Sequence, residues 1–335
     1  MQPGAKHSPP RRPPPGAGTC LALAACLTAL AAFAQTPAAP LRIGFLTTGW
    51  GPPLQAEGLV AGLIDLGYRE NVDFVVAVRF TEGDAAALPA AAEALVASGV
   101  DVIVPVTSLP AAAAQSATST VPIVFVRVAD PVGQGLIESY SRPGGNVTGV
   151  IDPDVNMAGK RLQLFQALVP GLKRVLFPHN GDNPYHVAQA AEYRGAAERL
   201  EIELVARPLA TMGEAAGLFA DLRQGDVDGI LTPRDTDLDI PGLIVEATQR
   251  RKIPSMFDVS YYTGIGGLAS YGESMDEVGR QAARLIDKII NGGNPAEIPV
   301  EAAPFVEFVV NLKVAEELGI VIPREILYQA DRIIR

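Results

Sequence analysis

The chain has 335 residues, too many for one typical domain and suited to two, and 48% of them are hydrophobic, enough for a sizeable core. Its formal net charge of −10 gives it no electrostatic footprint for nucleic acid. Its two cysteines, Cys20 and Cys26, both lie near the start. The rest of the chain is therefore without disulfides, thiol nucleophiles and cysteine–zinc sites.

The first 34 residues read as a secretory signal peptide. Lys6, Arg11 and Arg12 precede an apolar stretch over 21–30, and Ala32-Phe33-Ala34 before Gln35 is a small-x-small cleavage site. The apolar stretch is shorter than the roughly 20 residues that a membrane span needs. Leu23-Ala24-Ala25-Cys26 also fits a lipobox. Lipidation at Cys26 would leave an unusually short hydrophobic region before it, so cleavage after Ala34 is preferred. Either route exports the chain, and the periplasm is the expected compartment. Residues 35–40 form a Pro/Ala linker.

From residue 41 apolar strands and amphipathic helices alternate. Strands are predicted at 41–47, 74–80, 100–106 and 123–128, and the first is followed by a helix with Leu59, Val60, Leu63 and Ile64 on one face and a stop at Gly67. A second set of strands is predicted at 174–177, 203–206, 229–232 and 254–257, and 266–271 reads as a return strand. Ser274 and Glu277 then make a capping box for a helix carrying Val278, Ala282, Leu285, Ile286 and Ile289, which ends at Asn291-Gly292-Gly293. This order predicts an α/β fold of two doubly wound parallel-sheet lobes joined by a hinge. The expected division is 41–146 plus about 268–291 for lobe 1 and 147–267 plus about 292–335 for lobe 2.

Within 122–150, PIVFVRVADPVGQGLIESYSRPGGNVTGV, an apolar β-branched run stops at Asp130-Pro131, and Pro143-Gly144-Gly145-Asn146 breaks the helix expected after it before a further apolar strand. The latter turn reads as a crossing between domains. This segment resembles the DPVG and PGGN(V/I)TG hallmarks of the ABC transporter substrate-binding proteins with a type I periplasmic-binding-protein fold, a family with tryptophan- and tyrosine-binding members. KRLQLFQALVPGLKRV (160–175), FVVNLKVAEELGIVIP (308–323) and the final LYQADRII are similar to further segments of that family in the same order. The resemblance covers nearly all of the chain from residue 41.

That family implies a receptor that closes on a small solute and delivers it to a membrane permease with its ATPase subunit. The favoured ligand is an amino acid or a related small carboxylate. No cofactor, metal or nucleic acid is implied, membrane contact is expected only through the permease, and a monomer is expected. A periplasmic sensor module feeding a signalling partner is the alternative, and a hinged two-lobe enzyme ranks below it. His179 and His186 are the histidines after the signal, and no GxSxG elbow or phosphate-binding glycine loop is present. Gly264-Ile265-Gly266-Gly267 precedes a strand instead of following one. The acidic run Asp235, Asp237 and Asp239 imitates a calcium loop but has Ile240 where that loop needs glycine.

Ligand-binding candidates sit where strands end, since open α/β sheets bind ligands outside the carboxyl ends of their strands. Thr48 and Trp50 follow the first strand, the tryptophan either stacking on a flat ligand or packing at the surface. Thr107 and Ser108 precede Pro110 at a helix start, where backbone amides suit a carboxylate; they either contact ligand or cap the helix. The family has glycine at the position of Thr107 and proline at that of Leu109. Asp130, in the DPVG turn, either contacts ligand or fixes the turn. Asn180 and Asn183 match asparagines of the family, Asn183 also suiting a helix start, and Asp235 matches an aspartate suited to a ligand amino group. Tyr261, with Tyr262 and Tyr271, offers aromatic walls. His179 is placed toward the cleft and His186 on a helix surface, while Asp258 has no family counterpart.

Overall fold

The computed structural model describes residues 1, 39–151, 157–233, 238, 240–303 and 306–335. Residues 2–34 of the expected signal peptide, with Cys20 and Cys26, and Asp235, Asp237 and Asp239 lie outside the described residues. The chain divides after Ala39, and the unit Pro40–Arg335 carries the fold.

The first half of the alternation runs β1 (Leu41–Thr47), α1 (Gln55–Asp65), β2 (Phe74–Phe80), α2 (Leu88–Ala97), β3 (Val102–Pro105), α3 (Ser108–Ala117), β4 (Ile123–Val128) and β5 (Val147–Ile151). The second half runs α4 (Met157–Leu168), β6 (Arg174–Asn180), α5 (Pro184–Arg199), β7 (Glu203–Leu209), α6 (Met212–Asp221), β8 (Gly229–Leu231), α7 (Ile240–Arg251), β9 (Ser255–Phe257), α8 (Ser260–Gly264) and β10 (Ala269–Glu273). The chain closes with α9 (Met275–Ile290), β11 (Glu301–Ala302), β12 (Val306–Asn311), α10 (Leu312–Glu317), α11 (Arg324–Leu327) and β13 (Arg332–Ile334).

Two sheets result. The first has the order β11-β5-β4-β3-β1-β2 and the second β13-β12-β10-β9-β8-β6-β7. Every pairing is parallel except β10 with β12. Interior strands such as β1 and β3 are apolar without alternation because helices cover both faces. In the first lobe one face packs Ile43, Phe45 and Val104 against Leu59, Leu63 and Leu285, and the other packs Leu46, Ile103 and Phe125 against Leu95 and Ala114. The second lobe repeats the sandwich, with Phe177, Leu231 and Met256 on one face and Leu176, Ile230 and Phe257 on the other.

Helices α1 and α9 lie backbone to backbone, which explains their glycines. A Cβ on Gly58 would stand 2.1 Å from the Asp276 carbonyl oxygen, and one on Gly279 would stand 2.2 Å from that of Gln55. The expected cap forms, with Ser274 Oγ accepting from the Glu277 amide at 3.4 Å.

Sheet membership moves the expected lobe boundaries. Strand β5 pairs with β4 from Ile123↔Val147 onward, and the Ile123 amide donates to Asn146 O. The Pro143-Gly144-Gly145-Asn146 turn therefore returns the chain to the first sheet and is not a crossing. The helix expected between the two turns is instead a series of turns tied by Leu136 N–H to Pro131 O. Strand β10, expected in lobe 1, pairs with β9 and β12 in the second sheet, whereas α9 packs on the first. The return after residue 292 also stays with the first lobe, where Thr148 Oγ1 donates to Ile298 O at 2.9 Å and β11 adds to β5. The chain thus passes between sheets after β5, after β10 and after β11.

Candidate functional site

Each sheet has the strand order 2-1-3-4-5 in its first five strands, so the connections diverge to opposite faces between the first and third strands. A crevice opens outside the carboxyl ends at such a switch point. The two crevices face one another across a cavity of about 660 Å³, lined from the first lobe by Thr48, Gly83, Thr107, Ser108, Arg127 and Ala129 among others, and from the second by Asn180, Asp182, Asn183, Tyr185, Ala210 and Leu238 among others.

On the first wall, Thr48 follows β1 and its carbonyl accepts from the Gly83 amide at 2.7 Å, which draws the loop after β2 against it. Thr107 follows β3. Its amide donates to Val126 O at 2.9 Å, so it is not a donor for a ligand. Its backbone has φ +74° and ψ 175°, a region that glycine favours and a β-branched residue rarely enters. Thr107 thus adopts a backbone suited to the glycine that the family resemblance leads one to expect there. Pro110 has no N–H and the Ala111 amide bonds to Thr107 O, so the α3 start offers the cavity the amides of Ser108 and Leu109.

The opposite wall repeats the device. Asn180 ends β6 and its Oδ1 accepts from the Asp182 amide at 2.9 Å. Asn183 caps α5, its Oδ1 accepting from the Tyr185 amide at 3.0 Å, with Pro184 in the first turn. Two helix starts, one from each lobe, therefore meet the cavity with the positive ends of their dipoles.

Thr48, Thr107, Ser108 and Asn180, expected at the site, line the cavity together. Asn183 lines it too, whereas Asp130, Trp50, Tyr261 and Tyr271 are not among the lining residues. Asp130 is exposed and fixes its own turn, Oδ1 accepting from the Gly133 amide at 2.8 Å. Trp50 is 51% exposed and Tyr261 49%; Tyr261 packs edge-on against Tyr262, which stacks on Phe257. Tyr271 meets Phe308 in the second-lobe core. Asp235 lies outside the described residues.

Both histidines belong to the structure behind the second wall. His179 is buried and stacks on Phe177 at 5.5 Å between ring centroids. Burial holds its pKa below the ordinary imidazole value, and nearby His186 and Arg194 push the same way. His186, expected at a surface, is 1% exposed, because the face of α5 that packs inward also carries Gln189, Ala190 and Tyr193. Burial raises the Tyr193 hydroxyl's pKa, and that hydroxyl accepts from the fully buried Arg161, which also donates to Tyr271 O at 2.7 Å.

The main residue that sequence reading passed over is Arg127. It interrupts the apolar run of β4, and that interruption is the available signal, since a charge in a buried strand requires partners. Its partners include Asp258 and Glu273, both buried and both from the second lobe. Among the described residues no group of three or more His, Cys, Asp or Glu is placed to hold a metal.

Residues 51–334 match the family described as ABC transporter substrate binding protein. The chain belongs to that family. It is 26% identical over 257 residues to the tyrosine-binding protein of Clostridioides difficile (strain R20291), covering 76% of this chain and 73% of that protein. Among solved structures it is similar to the ABC domain in complex with L-Trp from Streptococcus pneumonia, with a TM-score of 0.75, 28% identity, and 88% of this chain and all of that chain covered. A conserved domain protein from Vibrio cholerae O1 biovar eltor matches with a TM-score of 0.76 and 26% identity over 88% of this chain and 99% of its own. The substrate-binding family and its type I fold agree with the expected architecture of two parallel-sheet lobes. No described helix is long and apolar enough to cross a membrane.

Proposed function

We propose that this family member is the exported receptor of an ABC importer, binding an amino acid or a related small carboxylate between its lobes and passing it to a permease and its ATPase without chemical turnover. The observation that carries this reading is the cavity of about 660 Å³ between two facing switch points, a size suited to a small-molecule site. Helix starts from both walls favour an anionic group on the ligand, and Tyr185 supplies an aromatic surface on the second wall. The similarity to a tyrosine-binding protein and to a domain solved with L-Trp supports an aromatic amino acid as the first ligand to test. Export rests on the first 34 residues, with Ala34 as the cleavage position and the periplasm as the destination.

A thermal-shift screen of the mature protein against the L-amino acids, their derivatives, sugars and small organic acids tests binding. A ligand at a hundredfold excess over its Kd adds about 2.7 kcal/mol of stability, and small-angle scattering with the same compound should show compaction. Absence of any hit among amino acids and related carboxylates overturns the ligand class, and consumption of the bound compound overturns the receptor reading. Intact mass of exported material decides the start, a chain from Met1 or a lipidated Cys26 excluding cleavage at Ala34.

A further inference from the structure

Arg127 stands at the meeting of the cavity and the segments that join the lobes. It lines the cavity, yet its guanidinium reaches the second lobe, with Nη2 at 3.3 Å from Asp258 Oδ2 and Nε at 3.5 Å from Glu273 Oε2. Asp258 directly follows β9 and also accepts from Thr232 Oγ1 at 3.4 Å, just after β8. Glu273 ends β10, one residue before the Ser274 cap that sends the chain back to the first lobe as α9. One side chain thus touches the ligand space and both strand ends at the inner limit of the cleft.

The backbone is built to aim it there. Arg127 has φ +59° inside a strand, and the pairing of β4 with β5 slips between Val126 and Val128. A bulge re-aims a side chain that a regular strand would send to one face of its sheet. A non-glycine residue in the left-handed region is sterically strained and persists where its surroundings require it. The neighbouring Thr107, whose amide bonds to Val126 O, is held in a second positive-φ conformation at the same cavity edge.

We propose that Arg127 is the positioning residue that couples occupancy of the cleft to closure of the lobes, by fixing the first lobe to Asp258 and Glu273 of the second. Separating the lobes exposes all three charges to water; closing them restores the contacts in a setting of low dielectric, where they are strong. A ligand resting on the same guanidinium then adds to closure instead of competing with it. This rests on the receptor reading above, but one arm of its test does not need a ligand.

The test compares wild type, Arg127→Gln, Arg127→Lys, Asp258→Asn and the Arg127→Gln/Asp258→Asn double variant, with melting without ligand as the check on folding. In ligand-free protein, scattering should report a larger radius of gyration for Arg127→Gln and Asp258→Asn than for wild type. With L-tyrosine and L-tryptophan as probes, calorimetry should show about tenfold or more weaker binding for each single variant and a double variant scarcely worse than either. Arg127→Lys should recover part of the compaction. Unchanged dimensions and probe affinity in Arg127→Gln, or independent losses that multiply in the double variant, overturn the coupling. Should Arg127→Gln not fold, Asp258→Asn and Arg127→Lys carry the same comparison. A wild type that binds no amino acid or related carboxylate overturns the proposed ligand class alone, and the ligand-free dimensions still decide the role of Arg127.

Discussion

Two sets of loops leave the carboxyl ends of the same sheets and serve different ends. Those after β1, β3 and β6 flank the switch points and place Thr48, Thr107, Ser108 and Asn180 on the cavity. Those after β4 and β9, one or two strands further out, fold on themselves: Asp130 holds the Gly133 amide, and Tyr261 packs on Tyr262 while facing solvent. Residue type does not separate the sets, since an aspartate and a tyrosine suit a ligand as well as a threonine does. Strand order accounts for part of the difference, because diverging connections open a crevice beside the central strands, although Trp50 follows β1 and is exposed while Gln134, in the loop after β4, lines the cavity. The end of β4 is the instructive exception, where the bulge at Arg127 brings that residue and Ala129 to the cavity that the following Asp130 misses.

The comparison breaks most directly if the cavity is filled. Ala129 lines it and is half-buried, so Ala129→Trp should place an indole in the ligand space, abolish the thermal shift given by the wild-type ligand and weaken binding by roughly a hundredfold or more, with the ligand-free melting temperature little changed. Wild-type affinity in that folded variant would mean that ligand binds elsewhere. Next in size is the contrast between loop sets. Asn180→Ala removes a cavity-facing amide worth about 0.5–1.5 kcal/mol if it bonds the ligand, a loss of about two- to tenfold by calorimetry. Tyr261→Ala and Trp50→Ala should leave affinity within about twofold. A loss at Tyr261 larger than that at Asn180 would reverse the assignment of the two sets.

A third test separates the cavity surface from what supports it. The folded pKa of His179 lies below its unfolded value of about 6.5, so above that pH both states hold it neutral and it costs nothing. As pH falls through the unfolded pKa toward the lower folded one, the unfolded chain takes up a proton that the fold resists, and stability declines. Melting should therefore drop between pH 7.5 and 5.5, and His179→Gln should flatten that slope even if its own melting temperature is lower. An equal slope in the variant would assign the acid sensitivity to other groups.

The lobed α/β architecture was legible in the chain because parallel strands buried on both faces leave continuous apolar runs, as in 41–47 and 123–128, and turns mark their ends. Lobe membership was not, because it depends on which sheet a strand joins: Val147–Ile151 and Ala269–Glu273 are both only five residues long, and nothing local to either tells which neighbour it meets. At the site, strand ends were readable and their order was not, so residues beside the switch points and residues beyond them looked alike. Burial of His186 and the reach of Arg127 to Asp258 and Glu273 depend on tertiary contacts across long stretches of chain, to which a periodic pattern is blind.

The smallest effect concerns the strained residue itself. Thr107 holds φ +74° and ψ 175° although its side chain makes no capping bond for α3, so the conformation has no evident return within its own helix start. Glycine would adopt it without the steric cost of order 1–3 kcal/mol, while giving back roughly 0.5–1 kcal/mol through the greater freedom of the unfolded chain. Thr107→Gly should therefore stabilise the ligand-free protein by about 1 kcal/mol, read as a higher urea midpoint at unchanged slope. Affinity should fall by a few-fold in the same variant, because a cavity-lining hydroxyl and methyl are gone. That pairing of greater stability with weaker binding is the signature of strain kept at a ligand site. A variant that is less stable than wild type would show instead that the threonine side chain holds the loop, and the resemblance of its backbone to that of glycine would then carry no functional meaning.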